Sequence, residues 1–294
     1  MSAPKHAPRG SRQTSRGRLY EWRAAGSPLD AQPEAFWSVT TIIKAGLPSP
    51  ALTAWGMKAV AEFAVANYRQ LSAMVGSSYR FERPRKDGPI TGILDDPDAV
   101  QSAIDWLKGA PYRERDRKAN IGSALHALAE AHVLGKPTPE PDPSIAGHVA
   151  SFRAFLDAWQ PTFEMAEATV YSRKEQYAGT LDAIAELPGL GRVLLDWKTS
   201  DSGVYPETAL QLAMYRHAEF IGLPDGSEAP VPEVDGCVVV WVHSDGRIAD
   251  VLPVIADEQV FRCALYVREV MRWSEELSKG VIGQSLPIPA RKAA

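Results

Sequence analysis

Two short apolar runs, 179–187 and 192–199, flank Pro188-Gly189-Leu190, and the whole stretch reads as one β-hairpin closed by a tight turn. In a strand, residues two apart share a face, so Asp196 and Lys198 point one way and Trp197 the other. A turn centred on Gly189 pairs Glu186 with Arg192, Ile184 with Leu194, and Asp182 with Asp196. Directly opposed Cβ atoms in such a pair lie roughly 4.5–5.5 Å apart. Two carboxylates at that distance repel and do not both stay ionised without compensation. A hard divalent cation between them supplies it.

The rest of the chain sets bounds on this reading. Its 294 residues, 45% hydrophobic and 23% charged, suit one elaborated domain or two small ones. No apolar run is long enough to span a membrane, and no charged-apolar-small pattern marks a signal peptide. The two cysteines, Cys237 and Cys263, lie in apolar surroundings and read as reduced core residues. Two cannot hold an iron–sulfur cluster, which takes four. No Gly-x-x-x-x-Gly-Lys-Ser/Thr loop is present, so no ATP site is expected.

Net charge is −4, but its distribution is uneven. Lys5, Arg9, Arg12, Arg16, Arg18 and Arg23 face a single acid, Glu21, in the first 23 residues. Further basic clusters occupy 80–86 and 113–118. Taken singly, each reads as solvated surface charge.

Residues 1–30 are rich in Ser, Gly, Pro and Arg and are expected to be a disordered basic tail. A helical lobe is expected over 31–160, a core of strands over 161–280, and a short tail over 281–294. Ser49-Pro50 and Asp96-Pro97 each pair an N-cap with proline at the first helical position. Further helices are expected over about 119–134, 144–159, 206–221 (closed by Gly222) and from Asp257 to about Lys279. Strands at 166–171, 179–187 and 192–199, a crossover helix, then strands at 236–243 and 247–254 make an α/β core.

His126 lies off the apolar stripe of its helix (Ile121, Ala124, Leu125, Leu128, Ala131), one turn before Glu130; alone, it reads as a surface histidine paired with that glutamate. Gln211 and Tyr215 lie one turn apart and flank the stripe of Leu210, Met214, Ala218 and Ile221. His132, His148 and His217 read as structural. Glu164, Glu167 and Glu186 are spare acids, with Glu186 expected to pair with Arg192 and Glu167, near the start of the first strand, a candidate extra ligand of minor weight.

Taken in order, Gly-x-x-x-His at Gly122–His126, Gly-x-x-Asp at Gly179–Asp182, Asp-x-Lys-Thr at Asp196–Thr199 and Gln-x-x-x-Tyr at Gln211–Tyr215 form a set. This set resembles the RecB-like branch of the PD-(D/E)XK nuclease superfamily, including phage-encoded and CRISPR-associated exonucleases. The likeness covers about residues 120–220. Leu181 stands where a proline usually precedes the first acid, and the four-cysteine cluster of some relatives is missing. The resemblance implies a restriction-endonuclease-like mixed β-sheet flanked by helices. It implies Mg²⁺ or Mn²⁺ held by His126, Asp182, Asp196 and the Trp197 carbonyl, with Asp182, Asp196 and Lys198 catalytic. Gln211 and Tyr215 would contact nucleic acid. The implied activity is DNA cleavage, as an exonuclease in recombination, repair or phage DNA processing. A recombinase or helicase partner and a cytoplasmic setting, bacterial or phage-encoded, go with it. The alternative is a nucleic-acid-binding protein on the same fold that does not cut.

Overall fold

The computed structural model describes residues 10–28, 30–76, 79–82, 91–94, 96–137 and 140–285. It divides into two compact units, one of residues 1–48 with 122–294 and one of Ser49–Ile121. The separate unit is therefore smaller than the lobe expected over 31–160.

In chain order the first unit opens with β1 (Ser11–Thr14), β2 (Gly17–Trp22), β3 (Glu34–Ser38) and α1 (Val39–Gly46). The second unit holds α2 (Pro50–Ala66), α3 (Tyr68–Val75), the hairpin β4 (Tyr79–Glu82) with β5 (Thr91–Leu94), α4 (Pro97–Lys108) and the start of α5 (Ala110–Val133). Ser49 accepts from the Leu52 N–H and Asp96 from the Ala99 N–H, so both proline-backed caps form as the sequence predicts. Asn67 separates α2 from α3. Within this unit Arg115, Arg117 and Lys118 pair with acids on their own helix, Asp116 and Glu114. The side chains of the basic cluster at 80–86, together with Lys5 and Arg9, lie outside the described residues.

The first unit resumes with α6 (Ala146–Trp159), β6 (Thr162–Ser172), β7 (Tyr177–Leu187), β8 (Gly191–Lys198), α7 (Glu207–Arg216), β9 (Phe220–Gly222), β10 (Glu228–Ala229), β11 (Gly236–Trp241), β12 (Asp250–Val254) and α8 (Glu258–Arg272). Its ten strands form one mixed, mostly antiparallel sheet with flanking helices. β8 and β11 run parallel, joined through α7, as the crossover requires. The expected helix over 206–221 stops earlier, and Phe220–Gly222 instead pairs with β6.

Residues 10–28 correct the disorder expected over 1–30, while residues 1–9 lie outside the described residues. β1 and β2 form a hairpin, β2 pairs with β3, and β3 pairs in parallel with β7. The cause is aromatic. Tyr20, Trp22 and Phe36 bury against Tyr171 and Phe220, and each large ring contributes substantial apolar burial. Arg173, at the end of β6, ties this region together by bonding both Glu34 and Glu228.

β7 is the axis of the sheet. One edge carries β6; the other carries β3 at Tyr177 and Ala178 and β8 from Ala183 to Leu187. Between those two partners lies Asp182. Below it the core contains Ile42, Leu194, Met214, Val239 and Met271, covered by α1, α7 and α8. On the opposite face Trp197 packs edge-on against Phe152 and Phe155 of α6. The outward swing expected of Trp197 thus has a structural reason: its ring anchors α6. Cys237 is buried as expected, but Cys263 is exposed, because α8 presents it on its solvent side.

Candidate metal centre

The hairpin turn forms as the local sequence dictates. The Leu190 N–H bonds the Leu187 carbonyl around Pro188 and Gly189, and Gly189 takes φ 78°, the conformation a type II turn requires at that position. The register follows: Glu186 opposes Arg192 and Ile184 opposes Leu194. The Arg192 guanidinium nevertheless bonds Glu164 at 2.8 Å and not Glu186, because Glu164 on the adjoining β6 presents its carboxylate there.

Asp182 and Asp196 come together beyond the last paired residues, Ala183 and Leu195. Each carboxylate is divided in the same way. Asp182 accepts the Trp197 N–H on Oδ2 at 2.8 Å, while its Oδ1 lies 3.4 Å from His126 Nδ1. Asp196 accepts from Gln211 Nε2 on Oδ1 at 3.0 Å, and Lys198 Nζ lies 2.5 Å from its Oδ2. One oxygen of each is pinned by a neutral donor and the other faces a cationic side chain.

The neighbours set the charge states. Burial works to keep Asp182 neutral, but the facing His126, Lys198 and the Trp197 N–H hold its pKa below the ordinary carboxylate value. Asp196, 2% exposed, is pushed upward by burial and by the Asp182 charge, against the pull of Lys198. Burial opposes the charge on His126, yet Asp182, with Asp196 and Glu167, raises its pKa to about 9. Lys198 is likewise raised, the two aspartates outweighing its burial.

His126 thus faces Asp182 and Glu167, in place of the Glu130 contact expected from the helical wheel. Glu130 pairs with Lys136 instead. Glu167, read from sequence as a spare acid and a minor ligand candidate, is brought into the cluster. The β6–β7 register sets it across from Asp182, between the pairs Ala166–Ala183 and Ala168–Leu181. Its backbone is left-handed, φ 50°, an uncommon and strained state for a residue with a side chain. Burial and the Asp182 charge raise its pKa to about 7. The turn at 173–176 was the available signal: pairing Ser172 with Tyr177 fixes Glu167 opposite Asp182.

The ligand atoms of His126, Glu167 and Asp182 all lie within 4.8 Å of one another. Neighbouring ligands of an octahedral Mg²⁺ are about 3 Å apart and opposite ones about 4.2 Å, so His126 Nδ1, 3.4 Å from Asp182 and 4.0 Å from Glu167, would draw closer to them around an ion. Carboxylates with one imidazole suit Mn²⁺ as well as Mg²⁺. The donor set therefore fits a hard divalent ion.

Gln211 lies half-buried beside the core as expected, but Tyr215 does not flank it. Tyr215 is buried, its ring packed so closely over Gly179 that a Cβ there would come within 2.4 Å. Gln211 Nε2 donates to the Tyr215 hydroxyl as well as to Asp196. Together they hold the second aspartate. His132, His148 and His217 lie apart from the cluster, against Phe152, among Thr199, Asp201 and His243, and against Phe261 respectively.

No protein-family model matches this sequence, and no curated protein matches it. Among the described residues no helix is long and apolar enough to cross a membrane.

Proposed function

We propose that this chain is a metal-dependent DNA nuclease on a restriction-endonuclease-like core, akin to the RecB-like branch of the PD-(D/E)XK superfamily. The observation that supports it best is the convergence of Asp182, Asp196 and Lys198 beside His126, from three elements, on one side of the sheet. Asp182, Asp196, His126 and Glu167 would hold Mg²⁺ or Mn²⁺, with the carbonyl of Trp197, the residue after Asp196 on β8, as a further ligand. A bound ion of this kind polarises a phosphoryl oxygen and lowers the pKa of water.

The protein's own groups do the rest. The Trp197 N–H fixes Asp182, and Gln211 fixes Asp196, so the second oxygen of each, which meets His126 or Lys198, is held in place. Lys198 presents an ammonium at the point where negative charge grows on the phosphoryl group. A guanidinium there would be bulkier and unable to give up a proton. In a binder that does not cut, Lys198 would serve only to balance the buried Asp196 carboxylate, 2.5 Å away, and cleavage assays separate the two readings.

Incubation with linear and closed circular DNA in Mg²⁺, Mn²⁺ or EDTA tests the reading. Loss of linear but not circular DNA, only with metal, is the expected result and defines exonuclease action. Cutting at the native rate by Asp196→Ala or Lys198→Ala overturns it.

A further inference from the structure

The smaller unit is the basic part of an acidic chain. Residues 49–121 hold 11 Lys and Arg against 9 Asp and Glu, while the whole chain has a net charge of −4. One end of this unit is built from aromatic rings and guanidinium groups. Phe63, near the end of α2, meets Trp106 of α4 edge-on, with ring centroids 4.6 Å apart. The Arg113 guanidinium lies over Phe63, 4.6 Å from its centroid, and donates to the Trp106 carbonyl at 3.0 Å. Gly109 makes room for this crossing, since a Cβ there would come within 2.5 Å of Arg113 Nη1. Two tyrosines flank the stack. Tyr68 begins α3 directly after Asn67, whose amide donates to the Phe63 carbonyl, and Tyr112 is the chain neighbour of Arg113. Both are open to solvent, 61% and 59% exposed. Each has an arginine of its own: Arg69 lies 5.9 Å from the Tyr68 centroid and Arg115 5.1 Å from that of Tyr112. Arg69 and Arg113 pair with no carboxylate among the described residues. Exposed rings scattered singly need no explanation; two of them, each with a guanidinium and both beside a third such pair, do.

We propose that this end of the smaller unit binds single-stranded DNA, with bases stacked on Tyr68 and Tyr112 and phosphates held by Arg69 and Arg113. Stacking on a tyrosine needs a base whose face is free, which a single strand offers and a duplex does not. The arginines beside the rings supply the positive charge that a sugar-phosphate backbone requires. Every base has a π face, so the patch is indifferent to sequence. That the polyanion is DNA rests on the nuclease reading above; the preference for a single strand rests on the rings.

Fluorescence anisotropy with a labelled oligothymidylate of about 20 nucleotides, longer than one site, tests this on the full chain in EDTA. Tyr68→Ala and Tyr112→Ala should each weaken binding about fivefold or more, with melting curves unchanged because both rings are exposed. Tyr68→Phe and Tyr112→Phe keep the ring and should bind within about twofold of native. Arg69→Gln should make the fall of log affinity with log salt shallower by about 0.7. A duplex of the same length should bind more weakly, and the tyrosine variants should not alter its affinity. Alanine variants that bind like the native chain overturn the proposal. So do phenylalanine variants that lose as much as the alanine ones, or a duplex bound more tightly than the single strand. Cleavage is scored separately with metal. Ring-dependent binding without cutting overturns the nuclease reading alone, and cutting with ring-independent binding overturns this proposal alone.

Discussion

The Asp182 carboxylate stands in for a main-chain acceptor: it takes the Trp197 N–H at 2.8 Å, just past the last paired residues of the hairpin. The same group therefore holds the strand end and serves the metal centre. Replacing Asp182 with Ala leaves that N–H without a partner beside a buried ring, and should destabilise the fold by about 1–3 kcal/mol. Asp182→Asn keeps an acceptor and should remain near native stability while losing cleavage. Denaturant melts and cleavage assays on both variants separate the two roles.

Lys198 should prove indispensable to cutting. Lys198→Ala and Lys198→Arg are expected to lower cleavage by on the order of 100-fold or more, with DNA affinity within a few-fold of native. Single-turnover rates and a binding isotherm in Ca²⁺ check this. Arg at native rate would remove the argument for a compact ammonium.

Glu167 is held in a left-handed backbone next to a like charge. Glu167→Gly removes both penalties and should match or exceed native stability in EDTA, by up to about 1 kcal/mol. It should also weaken Mn²⁺ binding, by about tenfold in calorimetry, because one ligand is gone. Unchanged affinity would take Glu167 out of the centre.

In EDTA, stability should fall as pH rises. The folded His126 pKa, about 9, exceeds its ordinary 6.5, so its contribution is complete below pH 6.5 and is lost as pH climbs through 9. Glu167, raised from 4.5 to about 7, acts in the same direction one window lower: complete below 4.5, gone above 7. Asp182, lowered from 3.8, opposes this only in acid, where its contribution disappears as pH falls. Both raised groups are about a third exposed, so the change from pH 6 to 9 should be on the order of 1 kcal/mol. His126→Ala should flatten the upper part of the profile in denaturant titrations.

Deleting residues 1–30 should unfold the chain or strip several kcal/mol from it. The deletion removes β1 and β2 and with them the buried Tyr20 and Trp22, each the kind of side chain whose truncation costs about 3–5 kcal/mol. A truncated protein with a native melting curve would show that these strands are dispensable.

Which features could be read from the sequence follows from how local their causes are. The hairpin register was legible because a glycine turn and strand alternation act within twenty residues, and the capped helix starts were legible for the same reason. The β1–β2 strands were not. Their composition suggests disorder, while β3, which pairs with β2, is itself held by β7, and β7 and the Tyr171 and Phe220 rings that bury Tyr20 and Trp22 lie more than 130 residues away. Glu167 carried little weight as a ligand because its place depends on a second hairpin whose turn carries no glycine. Tyr215 was misplaced to the helix flank because the cavity over Gly179 that receives its ring belongs to another element.

The two cationic side chains facing Asp182 and Asp196 have a final consequence. With Lys198 and His126 already balancing the buried carboxylates, the sheet needs no inorganic ion to remain folded. Chelation should leave a dormant but intact molecule that regains its competence when the cation returns, with metal exchanged for protons and no refolding step in between.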